Sequence, residues 1–264
     1  GRLPDGPLVM GIVNLTPDSF SDGGQHLAPE KAVAAGLTMN QAGARVLDLG
    51  GESTRPGAVP VTPQQEWDRI GPALAALRAQ AKTAVLSVDT RNSFVMAQAL
   101  AAGADLINDV SALAHDPDAL PLLAEKTCGV VLMHMRGTPE TMSQHAVYQD
   151  VGYDVVRELG KRVYAAVDGG IALERLVVDP GLGFAKTTEQ NRALLSRLPL
   201  LANLGCRVLL GVSRKRMIGD LTGVKDPVRR YPVTYVATLE ALALGPSVLR
   251  VHDVEGMVQS AALW

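Results

Sequence analysis

The sequence predicts one α/β domain over residues 1–264, a closed (β/α)8 TIM barrel. Three observations carry that prediction. Eight short apolar runs recur along the chain, and most are apolar on both faces, as strands of a buried parallel sheet are. Ala-rich segments of helical period lie between them. Spread over eight runs, 264 residues leave 33 per unit, close to the roughly 30 or more of a strand–helix–strand unit.

The first run, 9–15, leads through a polar loop to a helical segment at 31–41. Run 46–51 is followed by helix 63–80, and run 84–89 by helix 93–102. Runs 106–110 and 129–134 come next, then helix 150–167. Run 176–180 precedes helix 189–201, and runs 207–213 and 248–253 complete the set. Gly43, Gly103, Gly170 and Gly205 stand where helices stop, as C-cap chemistry asks. No linker or low-complexity stretch divides the chain. An open doubly wound sheet is the competing fold, but Gly-x-Gly-x-x-Gly never follows a strand.

Composition sets the outer limits. With 47% hydrophobic and 20% charged residues the chain is not disordered. A net charge of −2 gives no global attraction to nucleic acid or to an anionic membrane. Cys128 and Cys206 sit in apolar runs and read as buried thiols of a reducing, cytoplasmic setting. No apolar stretch approaches the ~18 residues of a membrane span, and the first residues carry no signal-like run.

Each run ends on polar chemistry: Asn14; Asp48 and Glu52; Asp89; Asn108 and Asp109; His134; Asp179; Ser213, Arg214 and Lys215; Arg250, His252 and Asp253. Any one of these reads equally well as a strand-end or helix-cap residue. Delivered together to the C-terminal rim of a barrel, they read as an active site. Arg250 and His252 alternate with Leu249 and Val251, which points both inward. Loops after the last two strands commonly bind phosphate, so a phosphorylated ligand is expected there. Arg214 and Arg216 read equally as solvated charges. Asp89, Asn108 and Asp179 offer acceptors to a ring rich in N–H groups, with Lys215 adding a donor. A metal cage is the other use of such a set. Two loops, 14–24 and 50–57, place Phe20 and Arg55 where water-excluding lids are commonly built.

At these residues the chain resembles the dihydropteroate synthases of the folate pathway. The matching stretches are 11–24 (Gly-Ile-Val-Asn-Leu-Thr-Pro-Asp-Ser-Phe-Ser-Asp-Gly-Gly) and 48–57 (Asp-Leu-Gly-Gly-Glu-Ser-Thr-Arg-Pro-Gly). In order after them come Ser87–Thr90, Asn108–Asp109, Leu132–His134, Asp179–Lys186, Gly211–Lys215 and Arg250–Asp253. The resemblance implies a TIM barrel that condenses hydroxymethyl-dihydropterin diphosphate with p-aminobenzoate, releasing pyrophosphate and 7,8-dihydropteroate. It implies that Asp89, Asn108, Asp179 and Lys215 hold the pterin, with Met133, Gly183, Phe184 and Gly211 as walls. Asn14, Arg55, Arg250 and His252 would hold the diphosphate, Asn14 also touching Mg2+. Phe20, Thr54, Pro56, Ser213 and the Lys215 stem would shape the p-aminobenzoate pocket, and Asp22 would order the first loop and the metal. A homodimer is implied as well.

There is one departure. Where the family starts its last long helix with Gly-Ser/Thr-x-Ala, this chain has Val233-Thr234-Tyr235-Val236, which bears on helix packing and on the dimer contact. Three other functions fit less well. Pterin-dependent methyltransferases of corrinoid proteins lack the two loop motifs. A phosphosugar lyase with a Schiff base at Lys186 or Lys215 leaves Asp89, Asn108 and Asp179 without a task. A non-catalytic pterin binder would not need Arg55, Arg250 and His252 together.

Overall fold

A computed structural model describes residues 3–16, 28–53 and 59–264. Eight parallel strands close into a barrel in sequence order, each hydrogen-bonded to the next and the eighth to the first. They are β1 (Leu8–Asn14), β2 (Val46–Gly50), β3 (Val85–Asp89), β4 (Leu106–Asp109), β5 (Gly129–Met133), β6 (Leu176–Asp179), β7 (Arg207–Leu210) and β8 (Ser247–Val251). Around them run α1 (Ala28–Gln41), α2 (Pro63–Gln80), α3 (Ser93–Ala101), α4 (Ala119–Ala124), α5 (Val151–Asp168), α6 (Thr188–Leu195), α7 (Arg216–Thr222), α8 (Tyr231–Leu239) and α9 (Val254–Ala262).

All eight predicted strands are present. The apolar runs overshoot most at the seventh, which pairs over Arg207–Leu210 while the predicted run continues to Ser213. Pairing ends there and the chain leaves the barrel as a loop. The helix expected over 189–201 is two pieces, α6 and a 3-10 segment at Leu198–Leu204. Pro199 explains the break, because it lacks an N–H and its ring clashes with a preceding helical turn. Gly205 ends the second piece at φ 67°, the left-handed conformation a side chain resists.

Two apolar sets hold the fold. One lies between barrel and helices and includes Leu47, Leu49, Leu86, Ile107, Leu132, Val178 and Leu249. The other fills the barrel itself: Leu8, Met10, Val46, Leu106, Val131, Val177, Leu209 and Val248. Strand side chains alternate faces. Extending the inner parity toward the C-terminal ends therefore selects which residues enter the mouth.

The departure at 233–236 has a plain structural outcome. Thr234 and Thr238 are the buried residues of α8, while Val233 is 36% and Val236 67% exposed. The bulkier side chains face outward and do not disturb the core. Cys128 is buried, whereas Cys206 is only partly so; both are free thiols.

Candidate active site

Counting on from the inner apolar layer by twos reaches Asn14 on β1, Asp48 on β2, Ser87 and Asp89 on β3, and Asn108 on β4. It reaches Met133 on β5, Asp179 on β6, Gly211 and Ser213 beyond β7, and Arg250 and His252 at β8. The predicted pterin and diphosphate residues on strands thus share one mouth. Asp109 and His134 have the opposite parity. Asp109 accepts from Ser111 N, Ser111 Oγ and Leu113 N, a loop-closing role rather than a ligand-facing one. His134 points toward α5.

The centre of the mouth is an ionic cluster. Arg250 Nε donates to Asp48 Oδ2 at 2.7 Å, and Arg250 Nη2 donates to Asp89 Oδ2 at 3.0 Å. Asn108 Nδ2 donates to the same Asp48 oxygen at 3.1 Å, and Ser87 Oγ donates to Asp48 Oδ1 at 2.6 Å. Asp48 is fully buried, so two neutral donors and a guanidinium are what keep its charge tolerable. With its amide nitrogen committed, Asn108 presents its oxygen as an acceptor. Burial and the neighbouring Asp48 raise the Asp89 carboxyl above the ordinary range, against the pull of Arg250. Two acidic groups flank one guanidinium whose Nη1 donors neither carboxylate uses.

Asp48 is the residue that sequence reasoning underused. It was visible as a strand-end Asp, but its signal is sharper: an Asp at inner parity in a strand buried at every position.

Beside this cluster lies a second group. Asp179 Oδ1 accepts the Gly181 N–H at 2.7 Å, and burial raises its carboxyl while Lys215 draws it back. Lys215 sits 4.7 Å from the centroid of the Phe184 ring and donates to Leu182 O. Burial lowers its ammonium to about 8, with Asp179 opposing. The loop 180–186 comes close enough that glycine is required. A Cβ at Gly181 would sit 1.9 Å from His134 O, and one at Gly183 would sit 3.0 Å from Lys215 Cδ. The predicted walls Met133, Gly183 and Phe184 therefore meet Asp179 and Lys215 in one place, and a Cβ at Gly211 would sit 3.8 Å from that of Arg250.

At the other edge Ser213 Oγ accepts the His252 N–H at 3.2 Å and lies 3.0 Å from His252 Nδ1. Of the two neighbouring arginines only Arg216 is a solvated charge. Arg216 is 92% exposed at its side chain and pairs with Asp220 within α7. Arg214 lies over the Tyr231 ring and hydrogen-bonds its hydroxyl. Phe20, Asp22, Thr54, Arg55 and Pro56 lie outside the described residues. Among the described residues no group of three or more His, Cys, Asp or Glu could hold a metal ion, and Asp89 and Asp179 face Arg250 and Lys215 instead. Asn14, half-buried at the end of β1, offers one hard amide oxygen. A single oxygen donor suits Mg2+ held mainly by a substrate phosphate and water, not Ca2+ in a protein cage.

Residues 10–252 match the family described as pterin binding enzyme. The dihydropteroate synthase of Neisseria meningitidis serogroup C is 45% identical over 98% of this chain and 92% of its own length. The structure of Xanthomonas albilineans dihydropteroate synthase with 4-aminobenzoic acid superposes with a TM-score of 0.91 at 49% identity, covering 98% of this chain and 92% of that one. The same enzyme with 7,8-dihydropteroate gives 0.89 at 47% identity, over 100% and 95% of the two chains.

Proposed function

We propose, from the premise that this chain belongs to the pterin binding enzyme family, that it acts as a dihydropteroate synthase. It is a transferase that joins hydroxymethyl-dihydropterin diphosphate to p-aminobenzoate, giving 7,8-dihydropteroate and pyrophosphate. The observation that carries this reading is the meeting, in one barrel mouth, of Asp89, Asn108, Asp179 and Lys215 with Arg250 and His252.

The pterin is held by complementarity. Its ring N–H groups face the carboxylates of Asp89 and Asp179 and the amide oxygen of Asn108, while Lys215 donates to ring acceptors. Arg250, through Nη1, and His252 meet the diphosphate, with Asn14 and Arg55. Ser213 Oγ, donating to Nδ1, would leave His252 with its proton on Nε2 as a donor to an anion. Phe20, Thr54, Pro56, Ser213 and the Lys215 stem form the p-aminobenzoate site, and Asp22 serves the first loop.

In the reaction the bond between the pterin methylene and the diphosphate oxygen breaks first, its electron pair leaving with pyrophosphate. The methylene cation that remains is delocalised into the pterin ring. Asp89 and Asp179 stabilise that charge, and the arylamine nitrogen attacks the methylene and then loses a proton. Preorganised charge and positioning supply the acceleration. Asn14 would hold Mg2+, which would supply charge neutralisation to the departing diphosphate. A cytoplasmic homodimer belongs to the same proposal. No described helix is long and apolar enough to cross a membrane. A coupled pyrophosphate-release assay tests the reading: sustained release at the full rate must need both substrates, because without p-aminobenzoate the methylene cation lacks the nucleophile that completes the cycle. Release without p-aminobenzoate at the full rate would contradict it.

A further inference from the structure

Lys186 ends the loop that follows β6 and turns its side chain back beneath it. Its ammonium lies 3.0 Å from each of three acceptors: Gly181 O, Phe184 O and His134 Nδ1. His134, buried, places Nε2 2.9 Å from Glu158 Oε2 on α5. Arg136 grips that same carboxylate, through Nε at 3.0 Å and through Nη2. Burial holds the His134 ring below its ordinary value, so the neutral imidazole is the form that meets its neighbours. An ionised Glu158 only accepts, so His134 carries its proton on Nε2 and offers the Nδ1 lone pair to Lys186. Three acceptors then match the three N–H groups of a charged lysine, whereas a neutral amine has two.

A buried ammonium is costly and the chemistry above makes no use of this one. Its partners show what it does. Gly181 and Phe184 begin and end the wall that faces Lys215, and Lys215 braces the middle of that wall through Leu182 O. A pterin that engages Lys215 removes this brace. The Gly181 N–H to Asp179 and the Phe184 N–H to Gly181 O remain, and attachments from beneath add to them: Lys186, together with Asn191 Oδ1, which accepts the Gly183 N–H at 2.7 Å, and Tyr148, whose hydroxyl donates to Ala185 O at 3.0 Å. Burial lowers the Lys186 ammonium to about 7; Asp179 and Glu158 draw it back up, Lys215 and Arg136 press it down, and the three acceptors at 3.0 Å favour the charged form.

We propose that Lys186 is a positioning residue for the pterin, aimed by the His134–Glu158 pair, which holds the Gly181–Phe184 wall in its binding shape while Lys215 serves the ligand. This rests on the pterin reading above. The test is calorimetry with 6-hydroxymethylpterin and steady-state kinetics in both substrates, on the wild type, Lys186→Met and Glu158→Gln. Lys186→Met is expected to weaken the pterin about ten-fold or more, from loss of charged hydrogen bonds, and to raise the pterin diphosphate KM in step. Its kcat and its KM for p-aminobenzoate should stay within about three-fold, since neither reports on the wall directly. Glu158→Gln, at a partly exposed position, should shift pterin affinity the same way by about three-fold or more through a misaimed His134. Unchanged pterin affinity in folded Lys186→Met overturns the proposal, as does an equal rise in both KM values or a loss confined to kcat. Should Lys186→Met fail to fold, unchanged affinity in Glu158→Gln overturns it. A wild type that binds no pterin overturns the functional reading itself, and is told apart because no variant is then involved.

Discussion

Arg250 on β8 donates its Nε–H to Asp48 on β2 at 2.7 Å, although 202 residues separate them in sequence. Closing the barrel sets β8 against β1, and from there Arg250 reaches across the mouth to Asp48 on β2 and Asp89 on β3. This reach makes the predicted diphosphate arginine part of the pterin-side cluster as well.

Replacing Asp48 with Ala should therefore harm more than the site. A guanidinium and the Asn108 amide both lose a buried partner, and breaking a buried ion pair costs about 3–5 kcal/mol. Because the Arg250 side chain retains 21% exposure, we expect the low end, about 3 kcal/mol, read from urea unfolding. A change below about 1 kcal/mol would show that the pair is replaceable.

Asp179→Asn should weaken pterin binding by about 1–3 kcal/mol. The amide brings a donor to face ring N–H groups, and it removes the charge opposite Lys215. Calorimetry with a pterin analogue is the measurement, and unchanged affinity would contradict the role.

Turnover should require Mg2+. Arg250 already faces two carboxylates, so the charge of a leaving diphosphate exceeds what this guanidinium can neutralise. Full activity in excess chelator would falsify this.

Acid should loosen the α5 side of the barrel through Glu158. Burial opposes its ionisation, but hydrogen bonds from His134 and Arg136 prevail and hold the carboxyl down to about 2. A depressed folded value means stability is present above the unfolded value, about 4.3, and is lost as pH falls toward 2. The melting temperature should drop across that window, and Glu158→Gln should show a shallower drop. Identical slopes would assign the acid lability elsewhere.

Leu209→Ala tests the inner layer. Leu209 is fully buried among Leu8, Val177, Val248 and their neighbours inside the barrel. Leaving a hole in a closed ring that cannot collapse should cost about 2–5 kcal/mol. Thermal or urea unfolding reads it directly.

Much of this was legible in the residues. Runs apolar on both faces mark strands enclosed by helices, and their number and spacing mark a closed barrel, as found. The alternation of Arg250 and His252 with Leu249 and Val251 places both in the mouth, and the structure puts them there. The same rule applied to β5 excludes His134, which the rim reading had included. The helix at 189–201 was overextended because apolar period persists through Pro199 even though the hydrogen-bond ladder cannot.

The sequence by itself determined the strand count, the inner parity and the set of polar residues at the barrel's end, because periodicity is a local property of the chain. Tertiary structure alone decided who pairs with whom. Asp48 becomes the hub of Arg250, Asn108 and Ser87 only once the barrel closes. Those partners lie on different strands, and buried charge must find its counter-charge across space rather than along the chain.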